Sequence, residues 1–228
     1  MTSIPDLSGY QALATDYDGT IATEGKVGSE TWIALEQLKA AGKKLILVTG
    51  RHLEDLQKVC RQLSLFDLLV LENGALIYDV AEAEGQRLAK PPPDALIEIL
   101  QDKGVTPLAT GQVMIGTRQP YGPTVEAAIA KLGIPWRIVL NKGAVMVMPI
   151  GIDKASGLLA AMRTLNLERD RVVGVGDGEN DLDLFKVCGF SVAVANALPE
   201  VKQAADWVTE GECGVGVCQI CKGLMANG

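Results

Sequence analysis

The sequence predicts an α/β protein: a doubly wound, mainly parallel sheet flanked by helices and interrupted by a small inserted α+β unit. Three observations predict it. Apolar runs at residues 12–14, 45–48, 68–71 and 172–175 are continuous rather than alternating, as in parallel strands covered on both faces. Segments with helical apolar spacing stand between them. The runs end in polar or glycine tips, Asp16-Tyr17-Asp18-Gly19-Thr20, Thr49-Gly50-Arg51, Glu72-Asn73-Gly74 and Asp177-Gly178-Glu179-Asn180-Asp181. In a doubly wound sheet such tips converge on one crevice.

Taken in order, residues 12–18 form the first strand, and alternation sends Asp16 and Asp18 to the same side before the turn at Gly19. Ser29 caps a helix over 30–41, where Trp32, Leu35 and Leu38 recur at helical spacing, and Gly42 ends it. A strand follows at 44–49, a helix at 52–63 and a third strand at 68–71. From about Val80 the pattern changes: a polar stretch and Pro91-Pro92-Pro93 precede a helix at 94–103, strands within 105–117, a helix at 124–132 and strands at 136–140 and 144–148. Asn141-Lys142-Gly143 reads as the hairpin turn between the last two. Residues 82–149 are therefore expected to be the insert, and 1–81 with 150–228 the core. The core resumes with a helix at 154–165, a strand at 171–176, a helix at 182–187, a strand at 191–195, a helix at 198–204 and a last helix after Gly214.

Composition narrows the function. With 48% hydrophobic residues among 228, the chain can bury a substantial core. A net charge of −7 without a Lys/Arg tract disfavours nucleic acid and anionic membrane as partners. No window approaches a membrane span, and the first residues lack a basic-then-apolar leader pattern, so the expected location is cytoplasmic. Cys60 and Cys188 lie in apolar contexts. Cys213, Cys218 and Cys221 include a C-x-x-C, but the single histidine, His52, is distant in sequence, and reduced thiols on a terminal helix are expected rather than a zinc or redox site.

The acidic tips carry the chemistry. Two carboxylates one residue apart can hold a hard cation such as Mg²⁺ through oxygen ligands. One can attack phosphorus and the other can carry the proton of the leaving group. Each residue also has a plainer reading: a solvated Asx turn for Asp16 and Asp18, a strand-end hydroxyl for Thr49, a helix N-terminal charge for Lys154, and a cap with a first-turn charge for Asp177 and Asp181. Their joint placement where such a sheet binds ligands favours chemistry. The run Gly174-Val175-Gly176-Asp177-Gly178 lacks the G-x-G-x-x-G spacing of a dinucleotide site and an acidic residue about twenty positions on at a strand end.

The four features Asp16-x-Asp18-Gly19-Thr20, Thr49-Gly50-Arg51, Gly151-Ile152-Asp153-Lys154 and Gly176-Asp177-Gly178-Glu179-Asn180-Asp181 together resemble the haloacid dehalogenase (HAD) superfamily. The insertion after Glu72-Asn73-Gly74-Ala75 resembles its C2-capped, Cof-like branch, which includes sugar, sucrose-phosphate, mannosyl-phosphoglycerate and archaeal-type phosphoglycolate phosphatases. The resemblance implies a Rossmann-like core with Asp16 as nucleophile and Asp18 as acid and base. It also implies Mg²⁺ on Asp16, the backbone carbonyl of Asp18 and Asp177, with Asp181 orienting its waters. Thr49 and Lys154 would hold the phosphoryl oxygens, assisted by Asn180. Gly50, Arg51, Asn73, Arg118, Asn141 and Lys142 are candidates for the substrate wall. The insert is small for this branch, which favours a compact substrate. The expected protein is a monomeric or homodimeric Mg²⁺-dependent phosphomonoesterase for a small phosphorylated metabolite, a sugar phosphate or phosphoglycolate. The competing expectations are a phosphotransferase or mutase using the same aspartyl-phosphate, and a non-catalytic binding protein.

Overall fold

The computed structural model describes residues 4–226. Strand β1 (Ala12–Thr15) leads through a small hairpin, β2 (Ala22–Thr23) and β3 (Lys26–Val27), into α1 (Ser29–Ala40) and β4 (Lys44–Val48). Then come α2 (Leu53–Val59), β5 (Leu68–Leu71) and an antiparallel return, β6 (Leu76–Asp79) and β7 (Glu84–Arg87). A second unit contains α3 (Asp94–Asp102), β8 (Ala109–Thr110), β9 (Ile115–Arg118), α4 (Gly122–Leu132), β10 (Trp136–Asn141) and β11 (Ala144–Pro149). The chain goes back through α5 (Lys154–Thr164) to β12 (Val172–Gly176), α6 (Asp181–Phe185), β13 (Phe190–Ala193), α7 (Pro199–Ala204), β14 (Trp207–Val208) and α8 (Cys213–Leu224).

The large sheet runs β14-β13-β12-β1-β4-β5-β6-β7, parallel from β14 to β5. Its strands lack polar alternation because both faces are covered: β1, β5 and β12 are buried throughout. Helices α1 and α8 pack together, while α5 packs on α6, β4, β5 and β6. Ala12 pairs with Lys44 on one side and Val172 on the other. The chain therefore winds away from β1 in both directions, and the strand ends at this switch point open into a crevice.

The smaller sheet is antiparallel, β10-β11-β9-β8, with α3 and α4 packed on it. Alternation along β11 divides its side chains. Val145 and Val147 join Leu96, Leu100, Ile115, Val125 and Trp136 in the small unit's core, while Met146 and Met148 cluster with Val113, Met114 and the large unit's Ala75. This methionine face closes over the crevice. No helix among the described residues is long and apolar enough to cross a membrane.

Several expectations need correction. Ser29 does not cap α1; it is the first helical residue, and Gly28 precedes it without a side-chain cap bond. Helix α2 stops at Val59, where Cys60 turns extended to bury its thiol in the core. The hairpins β2–β3 and β6–β7 and the edge strand β14 were not anticipated, being two to four residues long with weak alternation. Strand β7 falls inside the stretch assigned to the insert, yet it pairs with β6 in the large sheet. Cys213, Cys218 and Cys221 sit on α8 as free thiols, and burial pushes Cys221 up to about 12, so it stays protonated.

Candidate active site

The tip of β1 builds the floor. The Asp16 N–H donates to Val175 O at 3.0 Å, extending the ladder one residue past the strand and fixing where its carboxylate lies. Tyr17 points the other way, fully buried, while Asp18 returns to the crevice side. Gly19 then turns at φ +81°, and a Cβ there would stand 2.1 Å from Asp177 Oδ2. Only glycine permits both the conformation and that approach.

Lys154 organises the acids. It is the first residue of α5, behind an Asp153–Ser156 capping box, and is 1% exposed. Its Nζ donates to Asp16 Oδ1 at 2.7 Å and to Asp181 Oδ1 at 2.6 Å. The other Asp181 oxygen accepts the N–H groups of Asp177 and Gly178, both at 2.9 Å, so Asp181 fixes both the lysine and the second acidic loop. Thr20 Oγ1 lies 3.4 Å from Asp16 Oδ2 and 3.1 Å from Asp177 Oδ1. Thr20 stood within the first motif but had no role assigned from sequence.

Asp16, Asp177 and Asp181 each offer an oxygen within 4.8 Å of the others, and all three are buried. Burial pushes Asp16 up to about 7 against the pull of Lys154, with Asp181 and Asp177 adding to the rise. Asp177 is likewise raised by burial, with Lys142 opposing. Burial alone favours neutral Lys154, yet the Asp16 and Asp181 charges outweigh it and hold the ammonium form. Hard oxygen donors with a surplus of buried negative charge fit a hard divalent cation. The Asp18 carboxylate stands apart from this cluster: Arg51 binds it with two hydrogen bonds, at 2.5 and 2.8 Å, and lies 5.7 Å from the Tyr17 ring centre.

Between these groups and the small unit lies a cavity of about 260 Å³. Asp16, Asp18, Thr49, Gly50, Arg51 and Asn180 line it from below; Met114, Thr117, Asn141 and Met146 line it from above. The small unit also reaches the floor directly, where Lys142 Nζ donates to Asp177 Oδ2. Asn180 Nδ2 donates to Asn73 Oδ1 at 2.8 Å, and Asn180 Oδ1 and Asn141 Oδ1 are buried without a hydrogen-bond partner among the described residues. Arg118 is exposed and does not line the cavity. Lys142 is a turn residue with a left-handed φ of +48°, as its sequence context predicts, but its reach into the site depends on how the two units pack.

A buried carboxylate at the switch point of a doubly wound sheet, beneath a second unit, places this chain among α/β proteins that bind a ligand at the strand ends. The family model of the haloacid dehalogenase-like hydrolases matches residues 13–115 and 130–220, and the chain belongs to that family. It is a HAD-family phosphatase. It is 32% identical to phosphoglycolate phosphatase 2 of Saccharolobus solfataricus, over 94% of this chain and 92% of that protein. It is 31% identical to a phosphoglycolate phosphatase of Methanopyrus kandleri, over 92% and 95%. The structure matches that of a haloacid dehalogenase-like hydrolase from Bacteroides thetaiotaomicron with a TM-score of 0.81 at 21% identity, covering 93% of this chain and 98% of that one.

Proposed function

We propose that this protein is a Mg²⁺-dependent phosphomonoesterase for a compact phosphorylated acid of the phosphoglycolate kind, or a sugar phosphate of similar size. The observation that carries the reading is the Asp16 carboxylate on the cavity floor, with Lys154 Nζ 2.7 Å away. The names of the two relatives and the small cavity support the substrate class.

In this reading an Asp16 oxygen attacks phosphorus and the ester P–O bond breaks, while Asp18 gives its proton to the departing oxygen. Asp18 then takes a proton from water, the water oxygen attacks the phosphoryl-aspartate, and the bond from phosphorus to Asp16 breaks to release inorganic phosphate. Lys154 and Thr49 hold the phosphoryl oxygens, with Asn180 and the Gly50 backbone beside them. Asp16, Asp177 and the Asp18 carbonyl would hold Mg²⁺, with Asp181 orienting its waters. The ion supplies neutralisation of phosphoryl charge. Arg51 presents a planar fork suited to a carboxylate, so a substrate's own carboxylate can draw it from Asp18 and free that residue for proton transfer. Asn141 belongs to the cavity wall and Lys142 reaches the floor through Asp177, whereas Asn73 is buried behind the lining and holds Asn180 through its side chain.

Phosphate release across a panel of phosphorylated metabolites tests this, with Mg²⁺ present and then chelated, wild type beside Asp16→Asn. Metal-dependent release that vanishes in the variant and concentrates on one or two compounds is the expected result. Silence on every compound, p-nitrophenyl phosphate included, would overturn it. A release rate indifferent to added sugar acceptor separates hydrolysis from transfer.

A further inference from the structure

Glu72 is buried with 1% exposure, takes no part in the chemistry above, and joins the two units. It follows β5 with a left-handed φ of +51°, and Asn73 follows it at +54°. Two consecutive non-glycine residues in that region are strained, and the turn directs the Glu72 carboxylate toward the small unit. There Oε1 accepts the Gln112 N–H, and Oε2 accepts those of Val113 and Met114, all at 2.8 Å. No ion pair to Glu72 is present among the described residues. Backbone amides alone compensate the buried carboxylate. Gly111 makes room for it, because a Cβ there would stand 2.6 Å from Glu72 Cδ.

The backbone of the same turn is tied to the crevice. The Glu72 N–H donates to Arg51 O, and the Asn73 N–H donates to Thr49 O, both at 3.0 Å. One residue thus binds the 112–114 loop through its side chain and the 49–51 loop through its main chain. Met114, one of the three amide donors, lines the roof of the cavity, and Thr49 and Arg51 line its floor.

We propose that Glu72 is a positioning residue that seats the small unit over the crevice in register with the 49–51 loop. The seating itself is independent of the phosphatase reading; its effect on turnover rests on that reading. Backbone hydrogen exchange decides the first part without any substrate. In wild type the amides of residues 112–114 are expected to be protected. In Glu72→Ala they are expected to exchange at least about tenfold faster, with β1, β4 and β5 unchanged, since losing a charged acceptor orphans three buried donors. Gly111→Ala, which intrudes on the carboxylate from the opposite side, is expected to produce the same local pattern, and Glu72→Gln a weaker one. Wild-type exchange at 112–114 in a folded Glu72→Ala or Glu72→Gln protein would overturn the proposal, as would acceleration spread evenly over the large sheet. For whichever substrate the panel identifies, KM is expected to rise by about tenfold or more in Glu72→Ala with a smaller change in kcat, and Glu72→Gln to recover part of it. An unchanged KM would refute the effect on turnover while leaving the exchange result to decide the seating.

Discussion

Lys142 at the hairpin turn of the small unit donates to the carboxylate of Asp177 in the large one, so a residue of the roof reaches a group that the proposed metal site would use. The lysine side chain is 41% exposed and the aspartate 2%, which makes the contact partly screened. At the proposed metal site Lys142 and Mg²⁺ would therefore compete for one oxygen. Lys142→Ala is expected to tighten Mg²⁺ binding by about two- to fivefold, the range of a partly exposed ion pair. The Mg²⁺ dependence of the melting temperature measures it; weaker binding in the variant would show that the lysine supports the ion rather than opposing it.

Asp16→Asn is expected to abolish turnover while leaving the fold in place. An amide is a poor nucleophile and a weak ligand for a hard cation. Substantial Mg²⁺-dependent phosphate release by the variant would assign the nucleophile elsewhere.

Asp18→Asn is expected to retain metal binding and lose activity by about 10²- to 10⁴-fold, the usual range for a positioned acid or base. Its carboxylate lies outside the buried acidic cluster, so a Mg²⁺ titration followed by melting should match wild type. A large drop in Mg²⁺ affinity would place the Asp18 carboxylate among the ligands.

Lys154→Met should destabilise strongly, by about 3–5 kcal/mol, because it strips the partner from two buried carboxylates. Added Mg²⁺ should recover part of that loss by supplying positive charge to the same cluster. Chemical denaturation with and without the ion gives both numbers, and an unaltered midpoint without the ion would contradict the central role of this lysine.

Acid sensitivity should trace in part to Asp67. Its carboxylate is 10% exposed and accepts from Lys39 Nζ at 2.5 Å, Lys44 Nζ at 2.9 Å and the Leu45 N–H at 2.9 Å. Burial pushes its pKa up, but these bonds outweigh burial and the net shift is downward. A carboxyl group depressed in the folded state adds stability above its unfolded pKa, about 3.9, and loses it as pH falls through the lower folded value. Asp67→Asn should therefore be about 1–3 kcal/mol less stable than wild type at pH 7, with the gap narrowing below about pH 4. A gap independent of pH would mean that shape, not charge, holds this corner.

The sequence by itself determined the α/β class, the inserted unit and the carboxylate pairs. Buried parallel strands must be continuously apolar, so the polar tips after Ala14, Val48 and Val175 stood out against them. Asp16, Thr49, Asp177 and Asp181 stood out as polar groups where apolar runs end, and Lys154 as a charge at a helix start; each has a plainer reading alone, and their joint placement singled them out. Short hairpins such as β2–β3 were not legible, since two-residue strands carry no periodicity. Only the tertiary structure decided which acid takes which partner. Asp16 and Asp18 are two residues apart, yet one pairs with Lys154, 138 positions away, and the other with Arg51, 33 positions away. Glu72 likewise read as a polar strand tip, and its clamp on residues 112–114 exists only because folding brings three backbone amides to a carboxylate about forty residues earlier. Backbone donors are identical in every residue, so no pattern of side chains could have announced them.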